Sequence, residues 1–235
     1  METGDLTSAL LLKMDNEQRG KALHAAAKYG WAQVVLALLQ LISKPDFRDE
    51  RGRTPLSYAA QRGHIEVVRE LIDGGSFPNA EDTTHRTPLP YASEAGSHIV
   101  TELLTDDRVS PDNTDDDGRT PLSWAAQNGC EAVVTQLPQA ENIDLDVENR
   151  VGQTPLSWAA YNGHKAIVPQ LLQNKDAKPD AKDKSGWTPL SLAAQKGHED
   201  IAMQLLRTKK VDPNAKDNRG RTRYGGQQRT DMKLS

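Results

Sequence analysis

The residues best suited to bind a metal ion are three histidines and the only cysteine of the chain. His64, His164 and His198 recur at one position of a repeated pattern, and Cys130 occupies that position in another copy. Zinc ligands must all reach within about 2 Å of one ion, whereas stacked helices lie about 8–10 Å apart. We therefore interpret this histidine column as structural, with a polar residue at the start of a helix, and expect no metal site.

The acidic segment Asp112–Gly118 has the composition of a calcium-binding loop. When Gly118 is aligned with the obligatory glycine of such a loop, Trp124 stands where a bidentate glutamate is required. The chain also lacks a nucleophile elbow, a phosphate-binding glycine loop and a helix-borne His-Glu pair. We therefore expect no cofactor and no catalytic activity.

The elements that position these residues come from one motif, repeated every 33 or 34 residues. Its core reads TPLSYAA from Thr54, TPLPYAS from Thr87, TPLSWAA from Thr120 and Thr154, and TPLSLAA from Thr188. Threonine suits a helix N-cap, proline suits the first helical position, and the glycine that follows suits a turn with positive φ. A second amphipathic helix and a polar hairpin-like segment complete each unit. The pattern therefore predicts helix–turn–helix units that bury a core only by stacking.

This pattern resembles the ankyrin repeat, whose signature is D-x-x-G-x-T-P-L-H-x-A-A followed by G-H and a V-V-x-x-L-L helix. The resemblance covers about residues 16 to 222, and the TPLSWAA variant is similar to the arrays of fungal ankyrin proteins. The resemblance implies an all-α repeat solenoid, elongated and curved, whose loop tips and first helices form a concave surface that binds protein partners.

On this basis the chain holds about five full repeats with imperfect units at both ends. Residues 1–15 are an N-terminal cap or partial repeat, and residues 216–235 are a truncated repeat that ends in a disordered basic tail. The six repeats between them, of which the last five carry the TPL core motif, span residues 16–47, 48–80, 81–113, 114–147, 148–181 and 182–215.

Three prolines depart from the repeat pattern. Pro90 replaces the serine of the core motif, Pro138 falls inside a second helix, and Pro169 lies early in the next one. A proline inside a helix removes a hydrogen bond and clashes with the preceding turn, at about 3 kcal/mol. We therefore expect a helix to end near Leu137 and a smaller disturbance near Pro169.

Composition and charge favour an intracellular protein, in the cytoplasm or the nucleus. One cysteine permits no internal disulfide, and the chain shows no secretion signal and no membrane span. The net charge of −4 argues against nucleic-acid binding. Acidic residues concentrate between Glu102 and Glu148 and basic residues after Lys165, which indicates either a solvated surface of uneven sign or a functional patch.

Aromatic residues occupy one repeat position, at Tyr58, Tyr91, Trp124 and Trp158. We interpret this aromatic ladder as packing between helices, with the alternative that ring edges are exposed as interaction anchors. Trp187 lies instead on a hairpin, where core packing is not required, and it is predicted to contact a partner.

Positions that vary on the hairpin tips and after the Ala-Ala pair of each first helix are predicted to bind the partner. They are Glu50, Arg51, Arg53, Gln61, Arg62, Arg86, Asp115, Asp116, Asp117, Arg119, Gln127, Asn128, Arg150, Gln153, Tyr161, Asn162, Lys184, Trp187, Gln195 and Lys196. Among these, Asp115, Asp116 and Asp117 are expected to contact a basic segment of the partner.

The sequence thus predicts a monomeric, non-catalytic protein–protein interaction scaffold. Three alternatives remain open. The chain could be a transcriptional co-regulator that acts through a DNA-binding partner, the sensor-array fragment of a larger receptor, or an enzyme of unrecognised type with a deep pocket between units.

Overall fold

The computed structural model describes residues 11–96, 98–139, 143–174 and 177–222, and helices are the only regular secondary structure among them. Short first and second helices alternate along the chain, which confirms the predicted all-α repeat class. The helices are α1 (Asn16–Tyr29), α2 (Ala32–Leu39), α3 (Pro55–Arg62), α4 (Ile65–Asp73), α5 (Pro88–Glu94), α6 (Ile99–Leu103), α7 (Pro121–Asn128), α8 (Glu131–Gln136), α9 (Pro155–Asn162), α10 (Ile167–Leu172), α11 (Pro189–Lys196) and α12 (Glu199–Arg207).

The chain divides into two compact units, Met1–Asp116 and Asp117–Ser235. In the first unit, α1, α3 and α5 pack in one layer, and α2, α4 and α6 pack in a second. The second unit repeats this arrangement, with α7, α9 and α11 in one layer and α8, α10 and α12 in the other. Each unit is therefore a two-layer stack of helix pairs, as expected for repeats that share a core.

The core of each stack uses the leucine and the alanines of the repeated motif. Leu56, Leu122 and Leu190 are buried, and so are Ala59 and Ala60 of the following turn. Each buried leucine stabilises the fold by about 2 kcal/mol, and the small alanines let neighbouring first helices pack closely. The same residues that define the repeat in sequence therefore define the interface between repeats.

The predicted threonine caps form in every first helix that has serine at the fourth core position. In these helices the threonine side chain accepts a hydrogen bond from the serine backbone N–H at 3.2–3.3 Å, as seen at Thr54, Thr120, Thr154 and Thr188. In α5 this donor is missing, because Pro90 has no N–H. The Thr87 hydroxyl is consequently buried without a hydrogen-bond partner.

The other two prolines act at the helix positions that the sequence predicts. Helix α8 ends at Gln136, and residues Leu137–Gln139 continue as a short 3-10 helix around Pro138. Helix α10 begins only at Ile167, so Pro169 lies in its first turn, where a missing N–H costs no helical hydrogen bond. A late helix start is thus the smaller disturbance expected at Pro169.

The histidine column joins three of the repeats to the repeat before each of them. The Nε2 atoms of His64, His164 and His198 lie 2.9–3.1 Å from backbone carbonyl oxygens at the end of the preceding first helix. The glycines of that turn leave room for the rings, because a Cβ at Gly129 or Gly163 would come within 2.8 Å of a histidine ring. The structural interpretation of the column is confirmed, since its rings bind the backbone.

We expect Gly163→Ala to destabilise the second unit by about 1 kcal/mol more than Gly197→Ala does. Both glycines have positive φ, 83° and 78°, where alanine costs about 1–2 kcal/mol. A Cβ at Gly163 would lie 2.6 Å from the ring of His198, which must move and weaken its bond to Tyr161, whereas a Cβ at Gly197 meets nothing within 4 Å. Urea unfolding measures both free energies, and equal losses would contradict this role of the histidine.

Candidate partner-binding surface

One side chain organises each hairpin turn. Asp49 Oδ1 accepts hydrogen bonds from the backbone N–H groups of Arg51 and Arg53, at 2.9 and 2.8 Å. The same pair of backbone bonds recurs in the other turns, at Asp82, Asn149, Asp183 and Asp217. Sequence reasoning missed these residues, although an Asp or Asn five residues before each core threonine was the available signal.

Backbone hydrogen bonds link the tip of one hairpin to the next within each unit. In the first unit, Thr83 N donates to Arg51 O, and Asp116 N donates to Thr84 O, both at 2.9 Å. The second unit continues this ladder at 2.7–3.0 Å, from Arg150 N to Asp117 O, from Lys184 N to Val151 O and from Asn218 N to Ser185 O. The hairpin ladder fixes the backbone that carries the predicted partner-binding side chains.

A cluster of carboxylate, guanidinium and aromatic ring underlies the hairpins of the first unit. Asp49 Oδ2 accepts from Arg53 Nη2 at 2.9 Å and from the Tyr58 hydroxyl at 2.8 Å, and the Arg53 guanidinium lies 4.3 Å from the ring centroid. In the next repeat the Tyr91 hydroxyl donates to Asp82 in the same way. These contacts explain the aromatic ladder as packing.

The arginines of these clusters stack on the ladder instead of projecting from it. The guanidinium groups of Arg86 and Arg119 lie 4.0 Å from the ring centroids of Tyr91 and Trp124. Cation–π stacking of this kind contributes about 0.5–2 kcal/mol. These arginines, together with Arg53, therefore stabilise the hairpins and offer a partner only part of their surface.

The carboxyl groups of the clusters have pKa values below their ordinary range. Burial raises the pKa of Asp82, but hydrogen bonds from Tyr91 and from the turn at residues 84–86 together outweigh this effect, so that the pKa lies below 3.8. The same balance lowers the pKa of Asp49. Burial, and then the bond to Asp82, raise the pKa of the Tyr91 hydroxyl. Both carboxylates are thus stabilised in their charged form.

The predicted partner-binding residues differ in exposure, and Asp115 is too deeply buried to contact a partner. It is only 7 % exposed and holds the turn-organising position of its repeat. Ten of the predicted residues are exposed: Glu50, Arg51, Arg62, Asp117, Asn128, Arg150, Asn162, Lys184, Gln195 and Lys196. Nine are half-buried: Arg53, Gln61, Arg86, Asp116, Arg119, Gln127, Gln153, Tyr161 and Trp187.

Two pockets bring predicted residues together, one in each unit. The first, of about 520 Å³, lies between α1 and the segment 47–53, which includes Glu50, Arg51 and Arg53. The second, of about 220 Å³, lies wholly within the second unit. Its lining residues are Asp117, Arg119, Asn149, Arg150, Val151, Gln153 and Trp158. Among the described residues, no group of three or more histidine, cysteine or acidic side chains is placed to hold a metal ion.

An exposed aromatic pair that sequence reasoning missed lies at the turn between α1 and α2. Tyr29 and Trp31 are 58 % and 54 % exposed, and their rings stack with centroids 5.3 Å apart. The Lys28 ammonium lies 5.4 Å from the Tyr29 ring centroid. Trp31 occupies the repeat position of the histidine column, which is structural in other repeats. Exposed Trp and Tyr side chains are typical anchors of protein interfaces.

The sequence matches the family described as "Ankyrin repeats (3 copies)" over residues 2–82, 74–149 and 133–217. Among solved structures, the chain is similar to the crystal structure of the ankyrin repeat domain of Bcl-3, described as a unique member of the IkappaB protein family. The two chains are 27 % identical with a TM-score of 0.74, and the match covers 86 % of this chain and 91 % of that one. The sequence has no match among curated proteins. None of the described helices has the length and apolar character needed to cross a membrane.

We expect Asp82→Asn to lose stability at neutral pH and to lose part of the acid sensitivity of the protein. Asparagine can accept the two backbone bonds, as Asn149 does, but it loses the charge-assisted bond from Tyr91, worth about 1.5–3 kcal/mol. Because the folded-state pKa of Asp82 is lowered, its contribution is present above about pH 4 and is lost as the pH falls further.

Urea unfolding from about pH 6 to about pH 3 measures this difference. The stability gap between wild type and Asp82→Asn should narrow as the pH falls, whereas the exposed control Asp107→Asn should show no such narrowing. A gap that stays constant across this range would contradict the stabilising role of the Asp82 carboxylate.

Proposed function

The chain belongs to the ankyrin-repeat family, and from that premise we propose that it is a non-catalytic scaffold that binds a protein partner. Ankyrin repeats are generally protein–protein interaction modules, and their fold is typically non-catalytic. The scaffold acts as a monomer, in the cytoplasm or the nucleus. Its partner contacts the exposed hairpin tips and the ends of the first helices.

The observation that carries this proposal is a variable set of exposed side chains on a fixed backbone. Arg51, Arg150 and Lys184 are exposed, while their backbone groups take part in the hairpin ladder. Holding the backbone in place before binding reduces the conformational entropy that association costs. The surface can therefore vary in chemistry without a change in the fold that displays it.

Two features of this surface favour particular contacts. Tyr29 and Trp31 supply a rigid aromatic anchor, which buries much apolar area at a small entropic cost. Asp116 and Asp117 supply negative charge for a basic segment of the partner. Asp117 has a side chain that is 62 % exposed, and Asp116 is held by His85 Nδ1 at 2.8 Å. Asp115 is buried and is not included.

A regulatory role is the second candidate. The chain is similar in structure to the ankyrin repeat domain of a member of the IkappaB family, which favours a transcriptional co-regulator that acts through a DNA-binding partner. This candidate expects the protein to accumulate in the nucleus and its captured partner to bind DNA. A partner that is cytoplasmic and binds no DNA would contradict it and leave the scaffold proposal intact.

We expect Asp116→Asn/Asp117→Asn to weaken partner binding by about two- to thirtyfold. Two exposed charge contacts contribute about 0.2–1 kcal/mol each, and 1.4 kcal/mol is tenfold in affinity. The immobilised protein captures its partner from native lysate, and binding of the purified partner is then measured at rising salt. The loss of affinity should shrink as salt screens the charges.

The matched control is Glu66→Gln/Glu131→Gln, which removes the same charge at exposed positions in the first turns of α4 and α8. This control should bind as wild type does. Equal weakening by both double variants would mean that only net charge matters and would overturn the role of Asp116 and Asp117. The absence of any discrete partner would overturn the scaffold proposal itself.

A further inference from the structure

The fifth repeat alters the charged cluster that supports the hairpins of the second and third repeats. Where the second repeat has Asp49, Arg53 and Tyr58, the fifth has Asn149, Gln153 and Trp158. Both charged groups are thus replaced by amides at once, and the tyrosine by a tryptophan. The turn itself keeps its geometry, because Asn149 Oδ1 still accepts the two backbone bonds, at 3.0 and 2.8 Å.

The substitution leaves a hydrogen-bond donor without its acceptor. In the second and third repeats the tyrosine hydroxyl donates to the second oxygen of the turn carboxylate. In the fifth repeat that oxygen is replaced by Asn149 Nδ2, which is itself a donor and points to Gln153 Oε1 at 3.4 Å. The indole Nε1 of Trp158 is buried and has no hydrogen-bond partner. An unmatched buried donor destabilises the fold, and an acceptor that reaches it is therefore bound favourably.

The orphaned indole belongs to the 220 Å³ pocket of the second unit. This volume is several times the roughly 30 Å³ that one water molecule occupies in the liquid. The lining residues include two arginines, Arg119 and Arg150, and one aspartate, Asp117. The Asp117 carboxylate is bonded to Arg119 at 2.6 Å. The formal charges of the lining residues sum to +1, from two arginines and one aspartate, which favours an anionic occupant over a cationic one.

We propose that this pocket binds a carboxylate side chain, glutamate or aspartate, of the protein partner. One carboxylate oxygen accepts the Trp158 indole N–H and the other pairs with Arg150. The buried indole N–H becomes accessible when a neighbouring side chain moves, and Gln153 lines the same pocket and is held only by a contact of 3.4 Å, at the long limit of a hydrogen bond. The partner thus supplies in trans the carboxylate that Asp49 and Asp82 supply within their own repeats. This inference rests on the proposed scaffold function.

The indole N–H signals of the protein in ¹H–¹⁵N NMR spectra test the proposal. The chain has four tryptophans, and Trp158→Phe assigns the signal of interest. The probe is N-acetyl-glutamate N-methylamide, titrated into the tens of millimolar at constant ionic strength, with the glutamine analogue as the neutral control. We expect a saturable downfield shift of the Trp158 signal with the glutamate probe and none with the glutamine analogue. The other three indole signals should not move with either probe.

Asn149→Asp is the matched variant, because it restores within the chain the carboxylate that the repeat lacks. Its Trp158 signal should already lie downfield without probe and should not respond to the glutamate analogue. No saturable shift in the wild type, an equal shift with the glutamine analogue, or a shift only with N-acetyl-arginine N-methylamide would overturn the proposal. Such a failure leaves partner capture in the lysate experiment unaffected, so it is distinguishable from failure of the scaffold function.

Discussion

No repeat of this chain can bury its apolar face alone, and contact between neighbouring repeats is therefore the constraint on which the structure depends. The leucines and alanines of the core motif meet this constraint by forming the interface. Three further contacts repeat with the same period. They are the threonine caps, the histidine bonds to the preceding helix end, and the hairpin ladder. Because each contact recurs, a change at one position, such as Pro90, removes a contact from one repeat and leaves the other repeats stacked.

The sequence predicts the parts of this fold that follow from local chemistry. A threonine followed by proline predicts a capped helix start, and a proline such as Pro138 predicts where a helix must end. The regular spacing of the motif predicts that neighbouring repeats stack on one another. What sequence reasoning missed depends on geometry between positions that are apart in the chain. Asp49 belongs to the repeat signature, but the signature does not say what its side chain does, and only the folded hairpin brings Arg53 and Tyr58 onto its carboxylate.

The same distinction applies to the surface. Variation among the repeats locates the hairpin tips, but it does not separate side chains that face solvent from those that support the turn. Asp115 was therefore predicted to contact a partner although it is buried. The cluster arginines stack on aromatic rings, whereas Arg51 and Lys184 are exposed. Trp31 was missed for the opposite reason, because its repeat position is structural elsewhere. A sequence difference between repeats therefore indicates function only when it is compared with the contacts that the same position makes in the other repeats. Trp158 is an example, because its indole N–H lacks the acceptor that Tyr58 and Tyr91 have.

The rigid display of the hairpin tips requires that backbone bonds between repeats hold them in place before a partner binds. Native-state hydrogen exchange of the Thr83 and Lys184 amides tests this most directly, because each donates to the preceding hairpin at 2.9 Å. We expect both amides of the free protein to exchange far more slowly than the same amides in an unstructured peptide of this sequence. Exchange at the unstructured rate would contradict the rigid display, because the tips would then be ordered only by the partner.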